Sequence, residues 1–460
     1  MRRTSILLAL LCALALSPLG CGDDGSPTDS GMTPTDAGAD SRPPADTGTR
    51  DSGPGDSGPM PCTTGCTFVE LVAGHDFTCV RRENGQVLCW GANDAGQLGD
   101  NRMRHPGSDC TPEGATDILD CSGPVVVRLP GPAVRISARG GFSVCAIDDM
   151  GDQYCWGYDN LPPIVGMGQP EKRYVPEQIP ELSNVTDVSD GWGVTCSVAG
   201  GELFCEGRNS AGQLGQDDTL ERREPIMVPG LTGIVKTEVG IMGGFVCASS
   251  ATETWCWGSN EHGELGHATP GADACMRVGS MGTYPCLLTP DRAPALDGAT
   301  AISLGSRHGC ALGDGGLVCW GDNATGQLGT GDTTGTTVPV AVTSLTGVAE
   351  VGAGSSHTCA RLDSGQVWCW GTNDEAQLGD SLLDHGMTCL FGTSMLDCSP
   401  SPVQVAGITD ATHIGVGLRH SCAIRAGGTE VWCWGWNSTR QLGDGTRDRR
   451  ESPVQVMGLD

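Results

Sequence analysis

The chain has 460 residues and a formal net charge of −28, with 55 Asp and Glu against 27 Lys and Arg, only two of them lysines, Lys172 and Lys236. That balance excludes a nucleic-acid binder, which must neutralise phosphates with basic side chains. The 24 cysteines exclude an ordinary reducing compartment if they pair, because disulfides persist where the surroundings oxidise.

In chain order, Arg2 and Arg3 precede an apolar run at residues 6–16, too short to span a bilayer and shaped like the core of a secretion signal. "SPLGC" follows and ends at Cys21. It resembles a bacterial lipobox, apart from Pro18 where Leu is usual, and implies that residues 1–20 are removed and Cys21 is lipidated. Ordinary cleavage nearby is the alternative. Residues 21–66 are almost wholly Gly, Ser, Thr, Pro, Ala and Asp, a composition that cannot offset its own ordering entropy. They read as a tether. "GDSGP" at 55–59 shares letters with a protease nucleophile loop but has no scaffold around it.

From residue 67 one sentence recurs. Seven cysteine pairs, Cys79/Cys89, Cys145/Cys155, Cys196/Cys205, Cys247/Cys256, Cys310/Cys319, Cys359/Cys369 and Cys422/Cys433, lie 9 to 11 positions apart. Six second cysteines are followed by Trp-Gly; the third has Glu206-Gly207. A "GQLG"-like turn comes next, reduced to "VGMG" at 165–168 in the second repeat. A period of about 50 residues predicts a propeller or solenoid. Within a repeat, apolar and polar residues alternate on both sides of a "DSG"-like turn, as in a hairpin with one buried face. Cysteines opposite each other across such a hairpin lie within disulfide reach. Their spacing lacks the CxxC knuckles of a zinc site, so the pairs predict staples. Nine of the eleven Trp flank the second cysteines, which predicts packing between sheets.

Three connections from the "LG" glycine to the next Pro are long: Gly99 to Pro124, Gly266 to Pro290 and Gly379 to Pro402. Each holds its own pair, Cys110/Cys121, Cys275/Cys286 and Cys389/Cys398; Cys62 and Cys66 complete an even count. Alternation of strand direction predicts that all three inserts emerge on one face. Arg102, Arg104, His105, Arg277, Tyr284, His385 and Phe391 are candidate partner contacts there, since Arg and aromatic residues are enriched at binding hot spots. The chain ends seven residues after Pro453, and twelve residues before Cys79 an apolar stretch begins. These fragments together make one repeat, which predicts ring closure by a composite blade.

The fold reading is all-β: a seven-bladed propeller at 67–460 with four-stranded, disulfide-stapled blades. One stretch carries a specific resemblance. "GAGSSHTCARLDSGQVWCWGTNDEAQLG" is similar to the repeat of the regulator of chromosome condensation family, with seven-bladed propellers. His308, His357 and His420, each two residues before a repeat cysteine, occupy that repeat's His position, which implies a structural role; His75 is out of register. The resemblance implies a rigid ring presenting loops to another protein. Nucleotide exchange on a GTPase follows from family analogy alone, and no exchange residue can be matched. No HExxH, GxSxG, phosphate-binding or EF-hand pattern is present. The expected function is therefore a monomeric, extracytoplasmic protein-binding module without cofactor or metal, reaching the membrane only through its lipid. An enzyme acting on an extracellular polymer is the alternative from a different class.

Overall fold

The structure is a computed structural model, described at residues 64–101, 120–139, 141–158, 172–269, 271–276, 282–391 and 394–459. Seven antiparallel sheets follow one another along the chain. Blade 1 comprises Phe68–Ala73, Phe77–Arg82, Val87–Ala92 and Asp120–Val126, here called strands a to d of a blade. Blades 2 and 3 span 133–178 and 185–227; blades 4 and 5 span 234–292 and 301–341; blades 6 and 7 span 348–404 and 413–455. Blades 4 and 6 carry a fifth strand outside d, supplied by their inserts.

The cysteine hairpin is strands b and c. Cys79–Cys89, Cys145–Cys155, Cys196–Cys205, Cys247–Cys256, Cys310–Cys319, Cys359–Cys369 and Cys422–Cys433 are all bonded, with Cα atoms 4.0–4.2 Å apart. Each pair stands directly opposite in the ladder, at the closely spaced kind of cross-strand position.

Two features of these hairpins depart from the expected regular ribbon with one buried face. Both faces of strand c are buried at its centre. Cys89, Cys256, Cys319, Cys369 and Cys433 point to one face and the adjoining Trp90, Trp257, Trp320, Trp370 and Trp434 to the other, and all ten are fully buried. Cys205 is equally buried, beside the partly buried Glu206. Each blade is sandwiched between two neighbours, so the alternation in the sequence separates two packing surfaces rather than core from solvent. Strand c is also irregular toward strand d. Its register slips immediately after the second cysteine in every blade, at Cys89, Cys155, Cys205, Cys256, Cys319, Cys369 and Cys433. The glycine two positions after the cysteine follows from that bulge. Gly371 has φ +102°, and a Cβ there would lie 2.5 Å from the Ser356 carbonyl oxygen. Only glycine tolerates that close approach of strand b.

Strands a line the central channel, with Glu70, Arg135, Glu238, Ser303, Glu350 and His413 among the residues around a cavity of about 240 Å³. An innermost strand has one unpaired edge, and its N–H groups need acceptors. Side chains of the preceding blade supply them. Glu70 accepts from Ile136 N–H at 3.2 Å and Glu350 from Ile414 N–H at 3.2 Å, each also held by an Arg of its own strand b, Arg81 at 2.7 Å and Arg361 at 3.0 Å. Asp187, Ser189 and Ser303 do the same for Thr237, Val239 and Ala353. Arg139 of the blade 2 a–b turn spans the channel, pairing with Glu238 of blade 4 and donating to the Ser303 hydroxyl of blade 5 at 2.7 Å.

The ring does not close by a composite blade. Arg450–Gln455 pairs with Glu430–Gly435 of its own blade, and Phe68–Ala73 pairs with Phe77–Arg82 alone. Each Pro strand is the outer strand d of the repeat before it, not the first strand of the next. The return after the "GQLG" turn lays it antiparallel on its own Trp-Gly strand, and an outer strand has a free edge where proline's missing N–H costs nothing. Closure is made without strand exchange, by side chains and a backbone bond from Leu418 N–H to the Gly74 carbonyl at 3.3 Å. The seam between blades 7 and 1 holds Phe68, Leu71, Trp90, Leu442, Val456 and Leu459 in one buried cluster, and Arg82 donates to the Leu459 carbonyl at 2.6 Å. Residues just before 67 also pack on blade 1: Asn84 N–H donates to the Gly65 carbonyl at 3.2 Å.

Candidate functional site: the insert-bearing face

What holds neighbouring blades together is a repeated clasp. The Trp after the second cysteine is buried to 0–1 % exposure in six blades, Trp90, Trp156, Trp257, Trp320, Trp370 and Trp434. Each indole N–H donates to the carbonyl of the Gln or Glu in the "GQLG" turn of the preceding blade, at 2.7–2.9 Å. The closing glycine of that turn makes room for the ring: a Cβ on Gly379 would lie 2.5 Å from Trp434. Two motifs about 50 residues apart in sequence are thus one interface.

The repeat histidines complete the clasp. His308 Nε2 donates to the Thr358 hydroxyl of the next blade at 2.9 Å, and that hydroxyl donates to the Gln327 carbonyl at 2.8 Å, which also receives Trp370. His420, Thr78, Gln441 and Trp90 repeat the pattern across the seam, with His420 to Thr78 at 2.9 Å. His357 bonds the Ser421 hydroxyl at 3.0 Å. Full burial lowers all three imidazoles, to about 4 for His308 and His420 and about 3 for His357, so they are neutral struts.

The struts make stability depend on pH. The unfolded chain protonates His357 near its ordinary value of about 6.5, whereas the folded chain does not until about 3. This group therefore withdraws stability as pH falls from 6.5. Asp190 and Glu264, raised by burial to about 6 and about 7, act in the opposite sense, because their folded forms keep protons that the unfolded chain releases. The difference between wild type and His357→Gln isolates the histidine. At pH 7 the variant should be the less stable protein, and between pH 6.5 and 4.5 the gap should close by about 2–3 kcal/mol. Urea denaturation at the two pH values measures it; a constant gap contradicts the assignment.

The inserts leave from the c–d connections. Since strand direction alternates, these connections share one face with the a–b turns at the channel mouth. In blade 6 the insert becomes a ribbon: Thr388–Phe391 pairs with the first part of Ser394–Gln404, and the Cys389–Cys398 bond crosses it diagonally with Cα atoms 5.9 Å apart. Blade 4 repeats this with Asp273–Met276, Thr283–Arg292 and Cys275–Cys286, also 5.9 Å. Both disulfides are buried against the blade.

The candidate contacts fare unequally. Arg102, Arg104, His105 and Arg277 lie outside the described residues, as do Cys21, Cys62 and Cys110 and the side chains of Cys121 and Phe391. Cys66 is disulfide-bonded. Tyr284 is half-buried on the blade 4 ribbon, opposite Cys275. His385 is not a contact on the surface. Its ring, 8 % exposed, sits between Asp380 at 2.9 Å and Asp397 at 2.7 Å, and Asp397 also accepts from Asn373 of the turn after strand c. The hydrogen bond to Asp380, with that to Asp397, raises its pKa to about 9. It is a charged brace at the root of the ribbon.

Sequence reasoning missed the residues that do face solvent. Leu382, Leu383, Met387, Leu390 and Met395 all lie within the blade 6 insert, at 37–60 % exposure. Leu390 and Met395 stand directly opposite in the ribbon, so they share one face, and Cys389 and Leu396 share the other. Met276 on the blade 4 ribbon is 67 % exposed. The signal was the apolar content of "SLLDHGMTCLFGTSML", which reads as core until the ribbon is seen to stand clear of the sheet. Among the described residues no group of three or more His, Cys, Asp or Glu side chains is placed to hold a metal.

Two models of the regulator of chromosome condensation (RCC1) repeat match the chain, one at residues 314–361, 364–424 and 430–460, the other at 68–97, 348–377 and 411–441. The chain is 27 % identical over 407 residues to the E3 ubiquitin-protein ligase HERC2 of Mus musculus, 84 % of this chain but 7 % of that protein's length. It is 28 % identical over 352 residues to the ultraviolet-B receptor UVR8 of Arabidopsis thaliana, covering 74 % of this chain and 73 % of UVR8. The yeast RCC1 protein Prp20, solved bound to Kap60, superposes with a TM-score of 0.64 at 19 % identity, covering 85 % of each chain. Matched repeats and seven sheets in sequence order give this chain RCC1 repeats on a seven-bladed propeller, the architecture that it shares with Prp20.

Proposed function

We propose that this propeller is an extracytoplasmic protein-binding module, held to a membrane by a lipid on Cys21 and binding its partner through the insert-bearing face. The observation that carries the reading is the apolar surface of the blade 6 ribbon. Clustered exposed Leu and Met on a soluble surface mark an interaction site, and Met adapts its shape to a partner. A diagonal disulfide and the His385 brace hold the ribbon still, which lowers the ordering cost of association. Protein partners on this architecture have a precedent in Prp20, crystallised with Kap60. The buried disulfides suit an oxidising compartment.

The test is a graft. Replacing residues 380–400 with the short "GDTTGTTV" connection of blade 5 should leave the β-sheet circular dichroism spectrum and a single cooperative urea transition in place, because blade 5 closes the same connection without an insert. Partner recovery by cross-linking on intact cells should fall at least about tenfold. Unchanged recovery places the binding surface elsewhere. Substituting Cys21→Ser should move the protein from the membrane fraction to the soluble fraction; unchanged membrane association contradicts the lipid anchor.

A further inference from the structure

The outer edges of the seven blades are not equally guarded. A sheet edge presents unpaired N–H and C=O groups, and proline or charged side chains on it discourage pairing with another chain. In blades 1, 2, 3, 5 and 7 the outermost strand is d, and each holds a proline: Pro124, Pro176, Pro225, Pro339 and Pro453. In blades 4 and 6 the insert covers strand d with a fifth strand, which becomes the edge. That of blade 4, Asp273–Met276, carries the exposed Asp273. That of blade 6, Thr388–Phe391, has neither a proline nor a charged residue, and among the described residues none pairs with its outer side. The direction of its polar groups follows from the ribbon register. The Asp397 carbonyl turns toward the blade, where it accepts from Asn373 N–H at 2.8 Å. Asp397 stands opposite Thr388, so these two do not exchange hydrogen bonds, and the N–H and C=O of Thr388 point away from the ribbon. Alternation repeats this at Leu390 and makes Cys389 and Leu396 the bonded pair between them. Thr388 and Leu390 are both exposed.

We propose, on the reading that the ribbon is the binding surface, that this edge takes up an extended segment of a protein partner as a sixth strand of blade 6. Thr388 and Leu390 offer two donor–acceptor sets about 7 Å apart, the repeat along a strand edge. Main-chain bonds of this kind supply affinity, and side chains at alternate positions supply specificity. The specificity element is the face shared by Leu390 and Met395: a residue of the added strand beside Leu390 extends that apolar stripe, so the segment carries apolar side chains at alternate positions. With a net charge of −28 the chain favours Lys and Arg at the flanks of the segment. The sheet has already been extended once, by its own insert, and the Cys389–Cys398 bond and the His385 brace fix that added strand in place before a partner arrives.

The probe is a fluorescein-labelled peptide, Lys-Lys-Thr-Val-Thr-Leu-Thr-Val-Lys-Lys, titrated into the full mature protein and followed by fluorescence anisotropy. Saturable binding is expected in the wild type. Thr388→Pro removes one outward N–H and leaves Leu390 and Met395 in place; it should weaken binding at least about tenfold. Thr388→Val keeps the N–H and should bind within a few-fold of wild type. Amide hydrogen exchange reads the edge directly. Without probe, Thr388 and Leu390 should exchange faster than Cys389, and saturating probe should slow those two amides at least about tenfold. Absence of saturable binding, equal binding by wild type and Thr388→Pro, or Thr388 and Leu390 amides as slow as that of Cys389 in the free protein overturns the proposal. Partner recovery on intact cells separates this result from the ribbon reading. Leu390→Ser combined with Met395→Ser should lower recovery in either case, whereas Thr388→Pro lowers it only where a strand is added. Recovery lost by the double variant and kept by Thr388→Pro leaves the ribbon as the binding surface and removes strand addition; recovery kept by both removes the two readings together.

Discussion

A chain refolded under reducing conditions should not reach the native state at room temperature. Each hairpin disulfide closes a loop of 9–11 residues. On the chain-entropy account each such closure stabilises by about 2–3 kcal/mol. Seven of them together exceed the roughly 5–15 kcal/mol by which a folded protein outlasts its unfolded chain. The core is divided into separate clusters between blades, most of them built around hairpin cystines, so no single cluster can hold the ring without them. The measurement is circular dichroism and native-gel mobility after dilution from urea, with and without reductant. Adding reductant to the folded protein should act far more slowly, because thirteen of the fourteen hairpin cysteines are at most 1 % exposed. Recovery of the native spectrum by the fully reduced chain would refute the claim that the staples are needed for folding.

The second large effect is expected at the seam. Trp90→Ala should lower stability by about 4 kcal/mol, the cost of deleting a buried aromatic side chain that cannot be replaced by collapse of its surroundings. Trp90→Phe should cost less than half of that, since it keeps most of the buried area and loses the hydrogen bond to Gln441. The seam is the one interface where no peptide chain links the two blades, and no strand is exchanged across it. It is held by the Trp90–Gln441 and His420–Thr78 clasp, the Arg82 bond to Leu459, the Thr439 and Leu418 bonds to the carbonyls of Asp76 and Gly74, and the apolar cluster. Trp90→Ala should therefore open the ring and expose Phe68–Ala73 to limited proteolysis, while Trp370→Ala, at a covalently linked interface, should lower the urea midpoint with less cleavage. Equal proteolysis of the two variants would show that the seam is no weaker than the other joints.

Much of the fold was legible because it is periodic. Cys359 and Cys369 announce a hairpin, since two thiols flanking "DSG" with alternating apolar neighbours meet across one turn. Blade number follows from counting that sentence. The closure was misread for a definite reason. Pro453 marks a strand, but a proline signals only that one edge of its strand is free; whether that strand is the first or the last of a sheet depends on which neighbour its other edge pairs with. The candidate site was less legible. His385 sits in an insert that the sequence offers as a contact loop, yet Asp380 and Asp397 capture it at the ribbon root. Leu390 and Met395 read as core until their ribbon is placed outside the sheet.

The sequence alone determined the local matters: hairpins, staples, the count of seven and the positions of the inserts, all set by interactions between residues within one repeat. The tertiary structure decided what depends on distant segments meeting. It buried both faces of the cysteine strands by stacking blade on blade. It joined Trp434 to Gln377 and His420 to Thr78, 342 positions apart, and so determined how the ring closes.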